Sequence, residues 1–182
     1  MINKIITAII LLASTQSLAN NYDFKPAGTI GIEYSYLNIE TESKLKAQYH
    51  LVSGGYNWYY NNNLSFHLSL GTVTDEEDME TDDGSYTFDD GKVSFVASTD
   101  LRLEIPMSNE LALYTLFGVT YIDFETTQFV LDEEFKNIGL KAGVGASYVL
   151  SRESAVYVEY RQDIISKEFN ANTFSIGYKF VF

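Results

Sequence analysis

The feature that most constrains this chain is a period-two alternation of apolar with polar or small residues that returns again and again along its length. Ile30, Ile32, Tyr34 and Tyr36 alternate with Gly31, Glu33 and Ser35. Side chains of a β-strand point to opposite faces in turn, so this spacing predicts a strand with one apolar face. Leu45, Ala47, Tyr49 and Leu51 oppose Lys46, Gln48 and His50 in the same way, and Leu64, Phe66, Leu68 and Leu70 oppose Ser65, His67, Ser69 and Gly71. Val93, Phe95, Ala97, Thr99, Leu101, Leu103 and Ile105 oppose Ser94, Ser98, Asp100, Arg102 and Glu104. Residues 111–124 form a fifth strand whose inward face stays open, because Leu, Tyr and Phe fall on both parities. Ile138 to Tyr148 alternate with Gly139, Lys141, Gly143, Gly145 and Ser147; Val156, Val158 and Tyr160 oppose Tyr157, Glu159 and Arg161. Phe174, Ile176, Tyr178, Phe180 and Phe182 oppose Thr173, Ser175, Gly177, Lys179 and Val181.

These stretches predict an all-β fold of eight antiparallel strands, each of about the 9–11 residues that a tilted membrane strand needs. The connections alternate: short near 60–63, 106–110 and 151–153, longer near 38–43, 75–91, 125–135 and 165–170. Both prolines, Pro26 and Pro106, are expected outside the strands, where no ladder hydrogen bond is lost. Short and long connections in strict alternation describe an up-and-down barrel with both chain ends on the side of the short turns.

Residues 1–19 read as a cleaved export signal: Lys4, then an apolar run from Ile5 to Ala13, then Ser17 and Ala19 as small residues before the cut. That run is too short to span a bilayer, which takes about 20 residues. Residues 20–182 then form the barrel domain, with no comparable apolar run and no cysteine for a disulfide. Mean hydropathy, −0.08, decides nothing, since a wall that alternates between lipid and lumen averages to the same value as a soluble protein.

A water-soluble barrel of the lipocalin kind alternates equally well, with its apolar face inside. The aromatic weight argues for the other orientation: Tyr34, Tyr36, Tyr49, Phe66, Phe95, Tyr148, Tyr160 and Tyr178 on the apolar face suit an interfacial girdle. The terminal residues add a motif. Ser175, Gly177, Phe180 and Phe182 resemble the C-terminal assembly signal of outer-membrane barrels, and the layout from residue 20 onward is similar to the small eight-stranded family that includes OmpX, Ail and the OmpA transmembrane domain. The resemblance implies a Gram-negative outer-membrane address, insertion by the barrel assembly machinery, contact with outer-membrane lipid and lipopolysaccharide, a monomer, and periplasmic chain ends.

Taken as lumenal, the polar faces carry the cations Lys46, Arg102, Lys141, Arg161 and Lys179 and the carboxylates Glu33, Asp100, Glu104 and Glu159. Near balance predicts an ion-pair network filling the barrel, because a buried charge must find a partner. An open pore is not expected, since eight strands leave an interior just wide enough for side chains.

His67 and Ser69 match the His-x-Ser pair of lipid A deacylases of the PagL type, but that motif continues into Asn where this chain has Leu70, and its site faces lipid. No His falls in a long connection, which disfavours a PagP-like palmitoyltransferase. His50 and His67 are placed apart along the hairpin, with His67 opposite a position near Tyr56, so both read as structural and no metal or cofactor is expected.

Asp75, Glu76, Glu77, Asp78, Glu80, Asp82, Asp83, Asp89 and Asp90 crowd one long connection; Glu125, Asp132, Glu133 and Glu134 crowd another. With a net charge of −13 such segments repel nucleic acid and heparin-like polymers. Asp82, Asp83, Asp89 and Asp90 supply divalent-cation ligands but lack the spacing of a calcium loop, and a solvated, charged surface is the simpler reading. The expected role is a non-enzymatic surface protein for adhesion, host-factor interaction or envelope integrity; the alternatives are a lipid A-modifying enzyme and a narrow channel.

Overall fold

A computed structural model describes residues 28–41, 46–61, 63–80, 91–126, 138–164 and 169–182. The proposed signal, Pro26 and the aspartates Asp82, Asp83, Asp89 and Asp90 lie outside the described residues. Eight strands follow one another: β1 (Gly28–Thr41), β2 (Lys46–Tyr59), β3 (Leu64–Glu80), β4 (Gly91–Pro106), β5 (Leu111–Thr126), β6 (Ile138–Ser151), β7 (Ser154–Ile164) and β8 (Phe169–Val181). Each pairs antiparallel with the next, and β8 returns to β1, so the sheet closes and every strand has two neighbours. Closure removes the edge strands whose free N–H and C=O groups no bilayer could satisfy.

The strands are tilted. Following paired residues from Leu64 through Leu103, Thr115, Val144, Tyr160, Phe174, Tyr36 and His50 brings the path back to β3 at Asp75, well above its start. This stagger is what lets a flat ladder close into a cylinder.

Three tight turns join the strands at the end where Gly28 and Phe182 meet, and each is capped by a side chain of its own. Asn61 Oδ1 accepts from Asn63 N at 2.9 Å and Leu64 N at 2.8 Å. Ser108 Oγ accepts from Glu110 N at 3.2 Å and Leu111 N at 3.0 Å, and Ser151 Oγ accepts from Glu153 N at 3.2 Å. Short polar side chains that mimic a backbone acceptor stabilise such turns.

At the opposite, far end the strands run longer than the alternation predicts, 11 to 17 residues. Asp75 to Glu80 belong to the β3 backbone and Glu125 to that of β5, and only residues 81–90 separate β3 from β4. Pro106 is the last residue of β4, where ending the ladder makes its missing N–H harmless.

The outward face matches the alternation on β1, β3, β6, β7 and β8, with Ile32, Leu70, Leu140, Tyr160 and Phe174 exposed. Two strands correct it. On β2 Tyr49 (1% exposed) and Leu51 point inward and His50 points outward, the reverse of the expected facing. On β4 a register shift between Val93 and Phe95 turns Val93 and Val96 inward around an outward Phe95. The open case of β5 is resolved: Ala112, Tyr114, Leu116, Thr120 and Ile122 face the interior, Leu113, Phe117 and Val119 the surroundings.

Unheated protein in detergent is expected to migrate differently from boiled protein on a gel, with a β-rich circular dichroism spectrum; a chain that stays folded and monomeric in plain buffer would refute the apolar exterior.

Candidate functional site: the barrel interior

The interior is built in two layers. The lower layer, nearer the tight turns, is charged, with four carboxylates (Glu33, Asp100, Glu104, Glu159) and four cations (Arg102, Lys141, Arg161, Lys179) buried among the described residues. Each comes from the polar parity of its strand. Lys46 does not join them: it is the first residue of β2, at the far end, paired in register with Glu40 and Glu80, and its side chain lies outside the described residues.

Asp100 is the hub of one half. Arg102 Nε donates to its Oδ1 at 2.8 Å and Lys141 Nζ to its Oδ2 at 2.7 Å. Lys141 also donates to Ser98 Oγ at 2.9 Å, which in turn lies 2.7 Å from Ser69 Oγ. Arg102 Nη2 reaches Glu159 Oε2 at 3.0 Å and His67 Nδ1 at 2.8 Å. The His67 nitrogen also approaches Asp100 Oδ2 at 3.2 Å, so the ring is wedged between the guanidinium and the carboxylate.

The other half centres on Arg161. Its Nη1 spans Glu33 Oε1 at 3.2 Å and Glu159 Oε1 at 3.3 Å, and its Nε lies 3.6 Å from Asp163 Oδ2. Tyr157 OH donates to Glu33 Oε2 at 2.7 Å and Tyr114 OH to Glu159 Oε2 at 3.1 Å. Ser35 donates to Glu33 and touches Ser175 Oγ at 2.8 Å. Glu159 thus ties the two halves together. These bonds answer the desolvation cost of burying charge, which would otherwise be several kcal/mol per ion.

The two tyrosines are seated by glycines. Tyr114 pairs across the ladder with Gly145, and Tyr157 with Gly177. A Cβ at either glycine would collide with the facing ring. The rings therefore lie flat on the wall, with Arg102 at 5.2 Å from the Tyr114 centroid on one side and Lys179 at 4.8 Å from that of Tyr157 on the other. Lys179 and Glu104 line a cavity of about 10 Å³ near the tight turns, together with Ser147 and Thr29, room for about one water.

Above the charges the interior turns apolar. Leu37 and Ile39 of β1 meet Tyr49 and Leu51 of β2, Val93 and Val96 of β4, Ile122 of β5 and Ala171 of β8, with Val73 of β3 packed against them. On β6 and β7 this layer is completed by Gly139 and by Asp163, to which Thr173 Oγ1 donates at 3.4 Å. Among the described residues, the charged and apolar layers together occupy the lumen apart from that small cavity near the tight turns.

Several expected residues are placed otherwise than as a reaction centre. His67 and Ser69 face the packed lumen and not lipid, with Ser69 bonded to Ser98. His67 sits opposite Asn57, one residue from the anticipated Tyr56, and His50 lies on the other side of the wall, so the two histidines share no site. His50 Nδ1 lies 2.6 Å from Tyr34 OH, with the Tyr36 ring 5.3 Å away. Ser175 and Gly177 face inward and Phe180 and Phe182 outward on β8, whose closing seam with β1 ends where Phe182 N donates to Gly28 O at 3.4 Å. Tyr114, Asp163 and the whole apolar layer escaped the sequence reading. Leu37 and Ile39 were signalled, in that they continue the parity of Glu33 and Ser35; Tyr114 needed the register that sets it over Gly145.

The profile of the outer membrane protein β-barrel domain family matches residues 5–182. No curated protein sequence matches the chain. Among solved structures, Neisserial surface protein A is similar, with a TM-score of 0.64 at 11% identity over 86% of this chain and 97% of its own. Ail, the attachment invasion locus protein of Yersinia pestis, solved with the heparin analogue sucrose octasulfate, gives 0.59 at 14% identity over 85% and 97%. The N-terminal barrel of Pseudomonas aeruginosa OprF gives 0.54 at 14% over 87% and 100%.

Replacing Asp100 with Asn removes the negative charge that Arg102 and Lys141 share, leaving Arg102 with Glu159 and Lys141 with Ser98. Asp100→Asn is expected to lower stability by about 3–5 kcal/mol, measured by urea unfolding from lipid vesicles. An unchanged midpoint would mean the network is not closed as described.

Proposed function

The chain belongs to the outer membrane protein β-barrel domain family, and from that premise we propose that it is a non-conducting, non-enzymatic anchor that carries its long connections at the cell surface. The observation that carries this reading is the filled lumen, an ion-pair layer beneath an apolar one. A charged layer alone can hydrate and pass ions; an apolar constriction above it excludes water and with it the ion's solvation. Among the described residues, the buried His67, Ser69 and Asp100 are tied to one another's neighbours in the packed lumen, which supports an anchor over a lipid A-modifying enzyme.

In this reading the signal at 1–19 is removed, Ser175, Gly177, Phe180 and Phe182 address residues 20–182 to the barrel assembly machinery, and the monomer inserts among lipid and lipopolysaccharide. The tight turns and both chain ends lie in the periplasm, and the acidic connections face outward for adhesion, host-factor interaction or envelope integrity. Polyanions such as the sucrose octasulfate bound to Ail are not carried over, because a net charge of −13 repels them. Asp82, Asp83, Asp89 and Asp90 act as a solvated cluster that attracts divalent cations weakly.

The chain has no native cysteine, so single thiols report orientation cleanly. Ser85→Cys is expected to react with a membrane-impermeant maleimide on intact cells while Asn109→Cys stays unlabelled, and purified protein in planar bilayers is expected to be silent. Labelling at 109 alone would invert the topology, steady conductance would return the channel reading, and a changed lipid A mass on expression would return the enzyme.

A further inference from the structure

Two rows of side chains run around the outward wall of β7, β8, β1 and β2, one directly above the other. In the lower row Tyr160 pairs with Phe174, Phe174 with Tyr36, and Tyr36 with His50. In the upper row, one outward position nearer the far end, Gln162 pairs with Asn172, Asn172 with Asn38, and Asn38 with Gln48. Four neighbouring strands thus present a ladder of carboxamides over a ladder of aromatic rings. The rows also mark where the wall changes character, since Leu37 and Ile39 are buried inside at the level of the amides. Below this line the barrel is apolar outside and charged inside; above it the two faces exchange on β1, β2 and β8, while Ile164 of β7 stays exposed.

The geometry points to a saccharide-binding face on this wall, whose ligand is the sugar headgroup of the outer-leaflet glycolipid. This rests on the orientation given under Proposed function, which sets the far end outward. An aromatic ring offers a negative face to the electropositive C–H face of a pyranose, and a carboxamide offers both donors and an acceptor to the paired roles of a sugar hydroxyl. The rows adjoin the lipid-facing belt, so the headgroup of a lipid packed on Ile32 and Ile176 reaches them without leaving the membrane surface. Three inter-strand gaps of about 4.8 Å give the ladder a length of roughly 14 Å, that of about three linked sugar rings.

Charge selects the sugar and not the phosphates of the same lipid. Among the described side chains of both rows there is no Lys or Arg, and the exposed Glu40 stands directly above Asn38. In the register Lys46, the nearest lysine in sequence, is flanked by Glu40 and Glu80. Tyr160 OH donates to Asn172 Oδ1 at 3.2 Å, which orients that amide, while Asn38 Oδ1 is buried without a partner among the described residues and meets a sugar hydroxyl only when its amide turns outward.

The test uses the full chain folded in neutral detergent micelles doped with either lipid A or rough-type lipopolysaccharide carrying its core sugars. A bound ligand raises the temperature at which the folded gel form converts to the unfolded one. Core-bearing lipopolysaccharide is expected to raise that midpoint by several degrees beyond lipid A, with the increment kept in high salt and in EDTA. Asn38→Leu with Asn172→Leu is expected to abolish the increment, and the isosteric Gln48→Glu with Gln162→Glu to reduce it. Equal effects of lipid A and lipopolysaccharide, loss of the increment in EDTA, or its survival in both double variants would overturn the proposal. Since micelles have no sides, these results do not depend on the thiol labelling at 85 and 109, which fails separately if the orientation is wrong.

Discussion

Everything in this molecule follows from the need to satisfy backbone hydrogen bonds where no water is available. A sheet can do so in a bilayer only by closing on itself. Closure by eight strands fixes a narrow cylinder, and the narrow cylinder decides what the interior can hold. Side chains fill it, and the polar parity of each strand supplies groups that must answer one another. The linked carboxylates and cations around Asp100, Glu159 and Glu33 are that answer, with Tyr114 and Tyr157 seated on glycines to complete it.

The same cylinder continues past the aromatic row, and there its polarity reverses. Leu37, Ile39, Tyr49 and Leu51 fill the far end of the lumen while Asn38, Gln48, Thr72 and Thr74 look outward. The strand geometry is unchanged on β1, where inward residues keep one parity throughout; only the chemistry of the two faces exchanges. Among the described residues an apolar far layer thus sits on the charged one, and the outward wall beside it carries amides and hydroxyls.

This exchange also explains what could be read from the sequence. Where apolar means outward, as over residues 64–70 of β3 and 174–180 of β8, alternation gives both the strand and its facing. On β2 the inward Tyr49 and Leu51 look like the lipid face, and the outward His50 and Gln48 look like the lumen, so the facing inferred there was reversed. On β5 Tyr114 and Leu116 point inward beside outward Leu113 and Phe117, and no parity can be chosen without the register to Gly145. The strands run further than the alternation predicts because polar residues such as Asp75 and Glu76 read as loop, although their backbone continues β3. The individual charges of the lumen were legible one by one; which of them meet depends on stagger, which a single strand does not reveal.

The most direct test of this account is the depth and facing of a single tryptophan. Trp58 is the one native tryptophan and is replaced by Phe. A new tryptophan is then placed at Leu68, outward on β3, or at Tyr114, inward on β5, and each protein is folded into vesicles whose acyl chains carry bromine. The account predicts strong quenching at position 68 and little at 114. Quenching at 114 with none at 68 would mean that the wall is inside out, and the closed, charged interior described here would not exist.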